Sequence, residues 1–127
     1  MTKKIVKTPN APQPIGPYNQ AVVVNNLVYT SGQIAMDTQT NAMCEGGITE
    51  QTRLVLTHLK AVVEGAGSSL EEVVKVTVFL KNMNDFTAMN TVYKEFFKSE
   101  SAPARSTIEV ARLPKDAIVE IEAVAGL

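Results

Sequence analysis

Short apolar runs with a period of two predict the strands in the first part of the chain. In the run Val73–Leu80, alternation places Val74, Val76, Val78 and Leu80 on one face, with Lys75 and Thr77 on the other. Asn25-Asn26 favours a two-residue hairpin turn between two earlier runs, because asparagine tolerates positive φ. The predicted strands before the first helix are Lys3–Lys7, Ala21–Val24 and Leu27–Ser31.

Two longer segments show the helical period instead. The first runs from Ile48 to Ala66, and Gly65 and Gly67 are expected to end it. Its apolar stripe is Val55, Leu59, Val62, Val63 and Ala66. Asn84-Asp85 is a candidate cap for the second helix, which the linker Ser99–Pro103 ends. The stripe of this second helix is Phe86, Met89, Tyr93, Phe96 and Phe97. Each helix is expected to have roughly four to five turns.

The order of elements is therefore β, ββ, α, β, α, ββ, which predicts an α+β fold with about six strands. Two amphipathic helices can cover only one face of such a sheet. The other face must meet solvent or another subunit. Because no repeat or linker interrupts the pattern, residues 1–127 are expected to form a single domain.

The last two strands are predicted to form a hairpin over Pro103–Glu122, with Arg112 opposite Ala117. On that register the apolar face carries Ile108, Val110, Val119, Ile121 and Ala123. The polar face carries Arg105, Thr107 and Glu109 with Glu120, Glu122 and Val124.

This polar face has a chemical interpretation. An arginine fork binds a carboxylate through two parallel hydrogen bonds, and a glutamate can activate or orient water. Arg105 and Glu120, with Tyr18 and Ser31-Gly32, would suit a small anionic substrate attacked by water. A cross-strand ion pair between Arg105 and Glu120 is the competing explanation, and an exposed pair contributes only about 0–1 kcal/mol.

Composition narrows the class of protein. An apolar content of 45% with 20% charged residues is typical of a soluble globular protein. The formal net charge of −1, with scattered lysines, argues against a nucleic-acid partner. No apolar run is long enough to cross a membrane, and the first residues do not form a secretory signal, so cytoplasmic residence is expected.

Cys44 and His58 are the only cysteine and the only histidine. A zinc site usually needs three or four such ligands at short spacing, so no metal is expected. A nucleophilic Cys44–His58 pair is formally possible. It is disfavoured because Cys44 lies in a predicted loop, while His58 falls near the apolar stripe of a helix.

Several motifs in one register along the whole chain resemble the RidA/YjgF family of reactive-intermediate deaminases. They are Ile15-Gly16-Pro17-Tyr18, Thr30-Ser31-Gly32-Gln33, Val76-Thr77-Val78-Phe79, Asn90 with Tyr93, and Pro103–Asp116 with Glu120. The resemblance implies a chorismate-mutase-like fold with a mixed sheet and both helices on one face. It also implies a barrel-like homotrimer, with clefts between subunits, and no cofactor.

The implied activity is hydrolysis of 2-iminobutanoate or 2-iminopropanoate, released by pyridoxal-phosphate enzymes, to the 2-oxo acid and ammonia. By resemblance, Arg105 clamps the substrate carboxylate and Glu120 positions or activates the water. The matching substrate-binding positions are Tyr18, Ser31, Gly32 and Asn90, with Thr107 beside them. Many family members have cysteine in place of Thr107, so thiol-dependent behaviour should be absent here. Two other functions stay open, namely a non-enzymatic regulator that binds 2-oxo acids and an endoribonuclease-type translation inhibitor.

Overall fold

In the computed structural model, which describes residues 2–127, six strands form one mixed sheet in the order β1-β2-β3-β6-β4-β5. The strands are β1 Lys4–Val6, β2 Ala21–Val24, β3 Leu27–Thr30, β4 Val73–Leu80, β5 Ala104–Glu109 and β6 Val119–Gly126. The helices are α1 Ile48–Gly65 and α2 Phe86–Phe96. The predicted α+β fold and its order of elements are confirmed.

The hairpin of β2 and β3 turns as the sequence predicts. Asn25 and Asn26 have φ angles of 51° and 61°, and Val24 pairs with Leu27 on either side of them. Both turn residues are left-handed, which a two-residue type I′ turn requires and which asparagine tolerates.

Both helices pack on one face of the sheet, and the core lies between them and the sheet. From β4 and β6, neighbours within the sheet, this face receives Val76, Val78, Leu80, Val119, Ile121 and Ala123, all buried. The helices contribute Val55, Leu59, Val62, Met89 and Tyr93. We call this the helix face and the opposite one the open face.

The second helix is shorter than expected. It has 11 residues, or about three turns, whereas α1 has 18. Before it, Met83–Asp85 forms a separate 3-10 turn, and after it Phe97 is extended, with φ −120° and ψ 115°. Asp85 occupies the N-cap position, as predicted, although its side chain forms no capping hydrogen bond.

A β-bulge at the start of β4 changes the predicted alternation there. The register shifts between Val73 and Lys75, so Val73 is 3% exposed and Val74 is 52% exposed. The prediction that Val74 faces the core is therefore wrong, because the extra residue reverses the parity of the strand before Val76.

The predicted hairpin over Pro103–Glu122 is also wrong, since β4 lies between β5 and β6. β5 follows α2, and this strand–helix–strand crossover places it parallel to β4, with Arg105 opposite Val76. β6 then pairs antiparallel with the other side of β4, with Glu120 opposite Phe79. Arg112 has no strand partner at Ala117 and instead forms an ion pair with Asp116 at 2.7 Å.

Candidate functional site

The register of the sheet divides the predicted site residues between its two faces. Arg105 and Thr107 share the helix face with Val76 and Val78, whereas Glu120 shares the open face with Phe79. Arg105 on β5 and Glu120 on β6 are separated by two strand spacings across the sheet and by three residues along the strand direction. From standard strand geometry, their Cα atoms are roughly 14 Å apart. The prediction that they share a face is wrong.

The open face carries a pocket of about 580 Å³. Four of the predicted site residues line it together, namely Tyr18, Ser31, Gly32 and Glu120. Its apolar wall includes Ile15, Ile34 and Met36, and Pro114 and Lys115 complete the rim. The pocket therefore combines one carboxylate, two hydroxyls and apolar surface.

The end of β3 is fixed by hydrogen bonds to the chain just before β2. The Ser31 amide donates to the Gln20 carbonyl at 2.9 Å, and the Ser31 hydroxyl donates to the Asn19 carbonyl at 2.5 Å. Because its proton is committed to Asn19, the Ser31 oxygen faces any ligand as a hydrogen-bond acceptor.

Gly32 is needed because Glu120 lies against it. A Cβ atom at Gly32 would be 2.1 Å from Oε2 of Glu120 and 2.7 Å from its Cδ. The missing side chain therefore makes the space that the carboxylate occupies, and the position of Glu120 depends on this glycine.

Glu120 is a carboxylate with altered acidity. Burial raises its pKa above the ordinary value, and the charge of the nearby Glu122 raises it further. A raised pKa brings a carboxylate closer to neutral pH, where a base exchanges protons most effectively.

Replacing Glu122 with glutamine should lower the pKa of Glu120, since one of the two causes of its elevation is removed. The change is measured by following the carboxyl ¹³C shift of Glu120 against pH by NMR. Glu122→Asp, which keeps the charge, should leave the pKa close to the wild-type value. If Glu122→Gln leaves the titration of Glu120 unchanged, the charge of Glu122 does not act on it.

On the helix face, α2 holds the guanidinium of Arg105 in one orientation. Nη1 donates to Oδ1 of Asn90 at 2.7 Å, and Cζ lies 4.5 Å from the ring centroid of Tyr93 and 5.5 Å from that of Phe86. The guanidinium stacks on aromatic rings and uses one N–H in the hydrogen bond to the Asn90 side chain, so its other donors remain for a ligand. Asn90 thus contacts the arginine itself.

Arg105 has no carboxylate partner among residues 2–127. The ion pairs formed there join Arg53 to Glu95 and Arg112 to Asp116. The alternative that Arg105 and Glu120 form a cross-strand ion pair is therefore wrong. An oriented, partly buried guanidinium without a counter-ion has the charge and the free donors that suit an anion.

Thr107 and Tyr93 complete the surroundings of Arg105. The Oγ1 atom of Thr107 is buried and has no hydrogen-bond partner among the described residues. Burial raises the pKa of Tyr93 to about 12, although the charge of Arg105 opposes the change. Tyr93 therefore stays neutral beside the guanidinium at physiological pH.

Sequence reasoning missed Lys115 and Gln20 as pocket residues. Lys115 and the following Asp116 have φ angles of 55° and 56°, a left-handed conformation that non-glycine residues seldom adopt. The ion pair of Arg112 with Asp116 holds this turn at the rim. Unusual backbone conformation next to a pocket is a signal of function that sequence alone does not reveal.

The side chains of His58 and Cys44 do not line this pocket. His58 is 3% exposed, its Nε2 donates to the Met36 carbonyl at 2.7 Å, and burial lowers its pKa. Burial, with a smaller contribution from Glu50, raises the pKa of the Cys44 thiol. Within residues 2–127, no three histidine, cysteine or acidic side chains are grouped so that they could hold a metal ion. Neither helix of that range combines the length and apolar character needed to span a bilayer.

The mixed six-stranded sheet with helices on one face and a carboxylate pocket on the other places the chain among small α+β proteins with a pocket built on the sheet. The chain belongs to the RidA/YjgF family, also described as endoribonuclease L-PSP, whose model matches residues 8–127. The resemblance predicted from the motifs is thereby confirmed.

Three similar proteins illustrate the relationship. A 2-iminobutanoate/2-iminopropanoate deaminase of Dermatophagoides farinae is 56% identical over 122 residues, which cover 96% of this chain and 94% of that protein. A Yersinia pestis structure from the conserved Rid family has a TM-score of 0.96 at 44% identity, covering 99% of this chain and 100% of the other. Escherichia coli TdcF with bound serine has a TM-score of 0.91 at 46% identity, covering 98% of each chain.

Proposed function

We propose that this protein is a cofactor-independent deaminase that hydrolyses 2-iminobutanoate and 2-iminopropanoate to 2-oxo acids and ammonia. The observation that carries the proposal is a pair of side chains. The guanidinium of Arg105 is held in one orientation without a counter-ion, and the half-buried carboxylate of Glu120 lies in an open pocket. The relative from Dermatophagoides farinae is named for this activity. The TdcF structure contains bound serine, which has three carbons, like 2-iminopropanoate.

The active site is proposed to form between copies of the chain in a homotrimer. A four-carbon acid cannot reach Arg105 and Glu120 of one copy, because they project from opposite faces of the sheet. Arg105 lies on β5, the edge strand, where a second copy can approach. The open face also exposes Ile5, Tyr29 and Ile108 by 39%, 42% and 44%, which is apolar surface for a partner to cover. Light scattering should give about three times the chain mass of 13.7 kDa.

In the proposed reaction, Arg105 of one copy binds the substrate carboxylate and orients the imine carbon above the open-face pocket of the next. The Ser31 oxygen accepts a hydrogen bond from the iminium nitrogen. Glu120 takes a proton as the water oxygen adds to the imine carbon, and the C=N electron pair moves to nitrogen. Glu120 then gives this proton to the amino nitrogen of the carbinolamine. The hydroxyl proton passes to Glu120 as the C=O bond of the 2-oxo acid forms, the C–N bond breaks and ammonia leaves, and Glu120 gives that last proton to ammonia or water. Orientation and charge placement account for most of the rate in such a site.

The proposal is tested in an assay in which threonine dehydratase supplies 2-iminobutanoate. Wild-type protein should accelerate formation of 2-oxobutanoate over the spontaneous rate. Binding of 2-oxobutanoate by calorimetry, without acceleration, would instead favour a non-enzymatic regulator. RNA cleavage that co-purifies with the protein and is lost in Arg105→Ala would favour the endoribonuclease. The pocket lining contains no histidine to support such cleavage.

Gly32→Ala should lower kcat by about one to two orders of magnitude, because the new Cβ must displace the Glu120 carboxylate from its place. The melting temperature should change little, since the displaced atoms are the end of a flexible side chain. Gly47→Ala is the matched control, because a Cβ there meets nothing within 4 Å. Wild-type kcat in Gly32→Ala would show that the position of Glu120 is not critical.

A further inference from the structure

The segment Thr8–Tyr18, which we call the arm, forms one wall of the pocket through Pro12, Gln13, Ile15 and Tyr18. We propose that Gln20 is a positioning residue that holds the arm in place and thereby sets the affinity of the pocket for its substrate. The inference rests on the proposed deaminase function and adds a residue outside the reacting groups.

The arm cannot hold itself by ordinary backbone pairing. Four of its residues are prolines, which lack an N–H, namely Pro9, Pro12, Pro14 and Pro17. The structure assigns no strand or helix to it between β1 and β2. Tyr18 donates its amide to the Gly16 carbonyl at 2.9 Å, and Gly16 needs its positive φ of 123° to make this tight bend.

The side-chain amide of Gln20 ties the arm to the sheet from outside, while Nε2 of Gln13, within the arm, also donates to the carbonyls of Thr8 at 2.9 Å and Ala11 at 3.2 Å. Gln20 is 2% exposed, and its Oε1 accepts from the Thr8 amide at 2.8 Å. Its Nε2 lies 3.0 Å from the Thr8 carbonyl, 3.3 Å from that of Ala11 and 3.0 Å from that of Pro12. One buried side chain therefore ties down both ends of a five-residue stretch of the arm.

The backbone of the same residue fixes the opposite wall of the pocket. The Gln20 carbonyl accepts from the Ser31 amide at 2.9 Å, next to Gly32 and its contact with Glu120. Gln20 thus connects the arm to the wall that contains the catalytic carboxylate. Its side chain acts on the first wall and its backbone on the second, so a side-chain substitution can release one wall alone.

The chemistry of these contacts requires an amide. The side chain must accept one hydrogen bond and donate others, and only a carboxamide does both at this size. Methionine fills a similar volume without forming either kind of hydrogen bond. An ionised glutamate would face carbonyl oxygens that only accept, and it would lose the donor contacts until it is protonated.

The test compares wild type with Gln20→Met, Gln20→Glu and the control Gln39→Met, whose residue is exposed in a loop outside the pocket. Hydrogen exchange should show faster exchange of the Thr8 amide in Gln20→Met, with the Ser31 amide unchanged. In the coupled imine assay, KM should rise about tenfold or more while kcat falls less, as expected when several buried hydrogen bonds are lost. For Gln20→Glu, the ratio of its kcat/KM to the wild-type value should increase as the pH falls and the new carboxyl is protonated.

The outcomes separate this inference from the proposed function. If wild type has no deaminase activity, the proposed function fails, and the dissociation constant of 2-oxobutanoate then replaces KM as the readout. Weaker binding by Gln20→Met still supports a positioning role in that case. A faster Thr8 exchange with unchanged KM and unchanged 2-oxobutanoate binding overturns the inference, as does unchanged Thr8 exchange. Absence of both turnover and 2-oxobutanoate binding in wild type overturns the inference and the proposed function together.

Discussion

Arg105→Ala should lower kcat/KM for 2-iminobutanoate by about a hundredfold to a thousandfold, because charge-assisted hydrogen bonds to the carboxylate are worth about 1.5–3 kcal/mol each. The guanidinium is already oriented by Asn90 and stacked on Tyr93, so its removal takes away a prepared clamp. The assay coupled to threonine dehydratase measures the loss. Arg105→Lys should recover only part of it, because an ammonium cannot form the planar fork or the same stacking.

The matched control for this prediction is Arg53→Ala. Arg53 is an exposed arginine whose guanidinium pairs with Glu95, so its removal deletes the same side chain without touching the site. Its kinetic constants should equal those of wild type. Thermal unfolding of Arg105→Ala should show a folded protein, since the cation–π contacts with Tyr93 and Phe86 are worth only about 0.5–2 kcal/mol each and the hydrogen bond to Asn90 about 1.5–3 kcal/mol. A folded Arg105→Ala protein with wild-type kcat/KM contradicts the carboxylate clamp.

Mixing two inactive variants should restore activity if each site uses two copies of the chain. Arg105→Ala keeps the open-face pocket, and Glu120→Gln keeps the arginine, so a hybrid interface can contain one intact half from each. Hybrids from co-expression should have about one third of wild-type activity, because each mixed trimer in a closed ring contains one productive pairing among its three interfaces. The measurement is specific activity of hybrids purified through two different affinity tags.

A second mixture supplies the control for subunit complementation. Arg105→Ala co-expressed with the double variant Arg105→Ala/Glu120→Gln contains no intact arginine, so it should stay inactive. Purified hybrids of the first mixture that also stay inactive would mean that the two residues do not meet across an interface. The proposed two-copy site would then be rejected even if wild type is a deaminase.

The elements of the fold follow from local patterns in the sequence. The Asn25-Asn26 turn and the bounds of β4 were predicted correctly, since each depends on residues close together along the chain. The bulge at Val73–Lys75 was missed because the adjacent pair Val73-Val74 carries no sign of which valine faces the core. Alternation therefore predicts the bounds of β4 and the faces of its residues from Val76 onward, but not which face Val73 and Val74 occupy.

The candidate site was harder to predict, because its geometry depends on which strands are neighbours. Arg105 and Thr107 do share a face, as alternation requires. The predicted direct pairing of β5 with β6 placed these two residues on the same face as Glu120, whereas they lie on the helix face. The strand–helix–strand order of β4, α2 and β5 was the available signal, since a helical crossover favours parallel neighbours. The contact of Gly32 with Glu120 joins residues 88 positions apart, so no local pattern could indicate it.

The proposed two-copy site also has a kinetic consequence. A dissociated copy would carry a carboxylate pocket with no clamp and a clamp with no water-activating group. Specific activity would then depend on protein concentration, falling steeply once dilution separates the copies. In this arrangement the amount of protein made by the cell controls both the number of active sites and whether each site exists at all.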